Sequence, residues 1–80
     1  MNRQRQSELV DAILAYLSSH PQAADSADGV LRWWLGRHEP VPTRAEVEEA
    51  LATMVQRRLL RCVVLPEGTV LYSCDGSRRH

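Results

Sequence analysis

Net charge of either sign is what this 80-residue chain most clearly lacks, because 10 basic residues are offset by 10 acidic ones. That balance excludes the strong overall positive field of a protein that binds nucleic acid by bulk electrostatics. Lysine is absent and every basic residue is arginine, which fits either a GC-rich genome or a use for planar, bidentate contacts. There is no apolar run near the roughly 20 residues that cross a bilayer, and the start Met1 to Gln6 lacks the apolar stretch of a secretory signal. The expectation is a cytoplasmic protein with no membrane partner.

Cysteine is scarce as well. Cys62 and Cys74 are too few for a disulfide framework and read as packing thiols. His20, His38 and His80 show no paired zinc-type spacing with them, so no metal is expected. No Gly-rich phosphate loop occurs, and no nucleophile is set beside a histidine in a recognisable motif. A domain this small also offers little volume for a substrate pocket. The reading is a non-enzyme without cofactors.

What is present is globular: 44% apolar and 25% charged residues. A chain of this length buries only about 60% of its unfolded surface and supports one core. Residues 7–74 read as that single domain, between a flexible arm over 1–6 and a flexible tail over 75–80.

Three helices and a hairpin follow from local patterns. Leu9, Val10, Ile13, Leu14 and Leu17 recur at helical spacing after Ser7, a suitable N-cap, and Pro21 ends that helix around Ser18 to His20. Asp25 or Ser26 caps a second helix whose body is Gly29 to Leu35, with Ala27, Val30, Leu31, Trp34 and Leu35 on one side. Trp33, about 100° away around the helix, falls at the boundary. Gly36 to Pro42 reads as a turn. Thr43 and Glu46 form a capping box for a third helix that runs to about Arg58 through Val47, Ala50, Leu51, Met54 and Val55.

Leu60 to Leu65 and Thr69 to Cys74 are strand-like and flank Pro66-Glu67-Gly68, a three-residue hairpin loop. The loop sets the register: Leu60 opposite Cys74, Cys62 opposite Tyr72, Val64 opposite Val70, Leu65 opposite Thr69. One face then holds Leu60, Cys62, Val64, Val70, Tyr72 and Cys74 and is expected to cover the core. The other holds Val63, Leu65 and Leu71 beside Arg61, Thr69 and Ser73.

The fold class is α+β, mainly α. The order helix, helix, helix, hairpin resembles the winged helix-turn-helix superfamily, most clearly over Thr43 to Ser73, where a third helix leaves through Arg57-Arg58-Leu59-Leu60 into the hairpin. The stretch Ala24 to Leu35 is also similar to small uncharacterised bacterial winged-helix proteins. The resemblance implies a fold, with the hairpin as its wing, and carries little about activity.

In DNA-binding members the third helix enters the major groove and the wing touches phosphates. Between Thr43 and Cys74, however, Arg44, Arg57, Arg58 and Arg61 are cancelled by Glu46, Glu48, Glu49 and Glu67. A DNA-binding regulator would use Arg44 and Gln56 near bases, with Arg57 and Arg61 near phosphates, and Arg3, Arg5, Arg78 and Arg79 could add phosphate contacts. The leading expectation is a protein-interaction module, a homodimer or an accessory subunit of a bacterial complex. Its contacts would be Trp33 and the second hairpin face, Val63, Leu65 and Leu71.

Overall fold

The computed structural model describes residues 3–74. Within them the chain is α+β and mainly helical, with three helical segments and a three-stranded antiparallel sheet. The expectations placed on 1–2 and 75–80, including Arg78 and Arg79, lie outside the described residues.

Helix α1 spans Arg3–Ser19. It begins four residues before Ser7, so Arg3 to Gln6 form its first turn instead of an arm. The reason is tertiary. Arg5, with a side chain only 12% exposed, donates to the Pro40 carbonyl (2.7 Å) and lies 3.5 Å from Glu46 and 3.8 Å from Glu8. Leu9, Ile13 and Leu17 are buried in the core, while Leu14, at the edge of the same stripe, stays exposed.

After Pro21 the chain makes a two-residue strand, β1 (Ala24–Asp25), where local pattern predicts only a helix cap at Asp25 or Ser26. Ser26, not Asp25, caps that helix, its hydroxyl accepting from the Gly29 amide at 3.2 Å. Helix α2 (Ala27–Gly29) passes at once into a π-helical turn, Val30–Trp34, in which the Leu35 amide donates five residues back to the Val30 carbonyl at 2.9 Å. The expected side survives this change of winding: Ala27, Val30, Trp34 and Leu35 are buried.

Helix α3 (Arg44–Gln56) carries both arms of the expected capping box, Thr43 amide to Glu46 Oε1 at 2.9 Å and Glu46 amide to Thr43 Oγ1 at 3.1 Å. It stops two residues short of Arg58. Arg58 takes a left-handed φ of 64°, its amide reaching the Val55 carbonyl at 3.0 Å and that of Leu59 reaching the Met54 carbonyl at 2.8 Å. That pair of bonds is a Schellman closure built around an arginine where glycine is usual.

Strands β2 (Leu60–Val64) and β3 (Val70–Cys74) pair in the register set by the turn, with Leu60 opposite Cys74, Cys62 opposite Tyr72 and Val64 opposite Val70. The loop closes through the Leu65 amide to the Thr69 carbonyl and the Gly68 amide to the Leu65 carbonyl, both 2.8 Å. Gly68 sits at φ 101°, a conformation that favours glycine. β1 joins the other side of β3, pairing Ala24 with Ser73 and Asp25 with Tyr72, so the sheet order is β1-β3-β2.

The core lies between the helices and the base of the hairpin. Val47, Ala50, Leu51 and Met54 from α3 meet the buried residues of α1 and α2, and Leu60 closes the cluster. The hairpin face expected to cover the core does so only at this end. Tyr72 and Cys74 pack against the cluster, but Cys62 and Val64, on the outer strand of the sheet, are exposed. Cys62 is therefore not the packing thiol its sequence context implied.

Candidate functional site

The residues expected to form one interaction site fall on two elements. Trp33 stands on the π-helical turn, which packs on α1 and α3. It is 70% exposed, the most exposed of the large hydrophobic residues described. A boundary position had been expected; the π-turn buries the neighbouring Trp34 and Leu35 and leaves Trp33 facing water.

Val63, Leu65 and Leu71 are on the hairpin, and the structure brings them together. Val63 is the cross-strand partner of Leu71, and Leu65 follows two residues along the same face. Val63 is exposed, whereas Leu65 and Leu71 are half-buried. Two exposed valines fall outside that set. Val64 (66% exposed) had been placed on the core-facing side, and Val41 (68%) lies between Pro40 and Pro42. Pro42 disfavours helical geometry at Val41 and keeps it in the connecting turn, a signal legible in the sequence.

The residues of the DNA-binding alternative also separate. Arg44 is held by acids on both sides, Nη1 at 3.0 Å from Asp28 Oδ1 and Nε at 3.0 Å from Glu48 Oε2. It lies in a groove with Asp28, Glu48, Thr69, Val70 and Tyr72 between α2, α3 and the hairpin. Gln56, Arg57, Arg58 and Arg61 are exposed and gather where α3 hands over to β2. The exposed side of α3 towards its N-terminus carries Glu48 and Glu49. Arg5, considered above as a phosphate contact, is instead drawn in beside Pro40 and Glu46.

Two groups have displaced proton affinities. The Thr43 amide, with Arg5 nearby, holds the Glu46 carboxyl below its ordinary value against an opposing effect of burial. Partial burial raises the Tyr72 phenol, opposite Cys62 in the sheet, with further contributions from the charges of Cys62 and Glu48.

Among the described residues no three His, Cys, Asp or Glu side chains converge as a metal-binding group. Nor, among them, is any helix long and apolar enough to cross a membrane. Compared with models of known protein families and with curated proteins, the chain matches none.

Proposed function

We propose that this chain is a cytoplasmic, non-enzymatic winged-helix module that acts by binding protein, as a homodimer or as an accessory subunit of a bacterial complex. The observation that carries the reading is Trp33. A large aromatic side chain left 70% exposed on a helical turn offers wide apolar area, one N–H donor and few rotamers to lose on binding. Val63, Leu65 and Leu71 add an aliphatic strip on one hairpin face, exposed at Val63 and half-buried at the two leucines, and contiguous apolar surface marks protein contacts.

DNA binding is the rival reading, supported by Arg57, Arg58 and Arg61 at the end of α3. Against it stands Arg44, whose guanidinium is already shared between Asp28 and Glu48 at the end of α3 that would approach bases.

The test compares wild type with Trp33→Ser, Leu65→Asp and Leu71→Asp in co-purification from the native host and in sedimentation. Loss of a partner or of self-association on these substitutions is expected. Variants that keep every native partner and the wild-type mass would sink the reading. A gel shift on random duplex at low salt decides the rival, since a phosphate-driven complex forms there and dissolves steeply as salt rises.

A further inference from the structure

The outward edge of β2 is the longest unpaired sheet edge among the described residues, because the opposite edge, β1, is two residues long. Which of its backbone groups are free follows from the hairpin. Leu65 donates its amide to the Thr69 carbonyl, and antiparallel pairs alternate between bonded and non-bonded. Arg61, Val63 and Leu65 therefore aim their backbone at β3, while Cys62 and Val64 aim theirs away from the sheet. Residues 61–64 are all exposed, whereas Leu60 is 1% exposed, so the accessible edge starts after Leu60.

Natural edges are blunted by proline, by bulges or by charged side chains. β2 has no proline and pairs without a register break, and its one charge, Arg61, stands at the start of the accessible edge, leaving Cys62, Val63 and Val64 uncharged. We propose that this edge pairs antiparallel with the same edge of a second copy, about a two-fold axis through Val63. The inference rests on the protein-binding reading above and names its partner.

Three features select a second copy. The outward backbone groups are self-complementary: Cys62 of each copy exchanges hydrogen bonds with Val64 of the other. The exposed Val63 side chains of the two copies face each other on the strip shared with Leu65 and Leu71, which removes from water the apolar surface that β2 leaves exposed. The charges at the two ends of the strand are opposite. Glu67 is the only charge on the hairpin loop, while the exposed Arg57 and Arg58 precede the strand. Extended beyond the paired residues, the same register sets Glu67 of one copy opposite Leu59 of the other, next to Arg58, at both ends, and Arg61 meets Leu65 of the other copy, so no like charges oppose.

Sedimentation and thiol cross-linking of the full chain test this. Wild type under reducing conditions is expected to dimerise at micromolar concentration. Glu67→Arg should raise the dimer dissociation constant about tenfold, and adding Arg57→Glu with Arg58→Glu should recover most of the loss. Cys62→Pro removes an outward amide that β3 does not use, and should give a folded monomer by circular dichroism. On a Cys62→Ser, Cys74→Ser background, Val63→Cys should oxidise to a covalent dimer, since facing non-bonded pairs lie about 4.5 Å apart at Cα. Arg61→Cys on the same background should not. A wild type that remains monomeric, a charge swap that recovers nothing, or failure of Val63→Cys to cross-link overturns the proposal. Trp33→Ser separates the two levels: a dimer lost in Trp33→Ser but kept in folded Cys62→Pro leaves the protein-binding reading standing and removes the β2 edge as its seat.

Discussion

Tyr16 and Trp34 are stacked, their ring centroids 5.1 Å apart and their planes 9° from parallel. The stack joins α1 to the π-turn and continues on its other side to His20, whose ring is 4.2 Å from that of Tyr16. Two adjacent tryptophans thus have opposite roles, one in the interior and one in water. Trp34→Ala should cost about 3 to 5 kcal/mol by urea unfolding, the usual range for removing a buried tryptophan. Trp33→Ala should fall within about 0.5 kcal/mol, as for exposed positions away from such features. Fluorescence gives the same division: Trp34→Phe leaves a red-shifted emission from Trp33, and Trp33→Phe leaves a blue-shifted one from Trp34.

Arg58 occupies the left-handed position of the helix closure with φ 64°. A side chain there carries a strain that glycine does not. Arg58→Gly should therefore raise stability by roughly 0.5 to 1 kcal/mol, even though it removes a charge from the end of α3. A lower melting temperature for this variant would show that the arginine side chain contributes more than its backbone conformation costs.

Gly29 sits in helical conformation, where alanine is ordinarily favoured by about 1 kcal/mol. A Cβ there would collide with the Asp25 carboxylate. That carboxylate also accepts from the Ser26 amide at 2.9 Å and so cannot swing away without losing a hydrogen bond. Gly29→Ala should destabilise the wild type by about 1 kcal/mol. In an Asp25→Ala background the same change should stabilise by up to about 1 kcal/mol. The sign change across this double-mutant cycle is the readout; equal effects in both backgrounds would remove Asp25 as the cause.

The lowered proton affinity of Glu46 links the α3 capping box to pH. Because the carboxyl is more acidic folded than unfolded, its contribution is complete above its unfolded value near 4.5 and is lost as pH falls through the lower folded value. Urea midpoints of wild type and Glu46→Gln should differ at neutral pH and converge in acid. A gap that persists at the lowest pH where the protein still folds would mean that shape, and not charge, sets the effect.

Much of the fold was legible because its signals are short-range. The helical spacing of Leu9, Ile13 and Leu17, the Thr43 and Glu46 box, and the Pro66-Glu67-Gly68 loop each act within a few residues, and a three-residue loop leaves a hairpin only one convenient register. The candidate site was less legible. Trp33 and the Val63, Leu65 and Leu71 strip could be named from periodicity, but the exposure of Trp33 depends on the π-turn and that of the strip on the sheet order that leaves β2 at the edge.

By itself the sequence determined the element order, the caps, the hairpin register and the near balance of charge on α3 and the loop. Tertiary structure alone decided the remainder. It set the pairing of Ala24 and Asp25 with the far end of the chain, the π-turn that sends Trp34 inward and Trp33 outward, and the capture of Arg44 and Arg5 by distant acids. Each of these depends on contacts between segments remote in sequence, the π-turn through the stack of Trp34 on Tyr16. Their energy depends on distances and burial that no local spacing encodes.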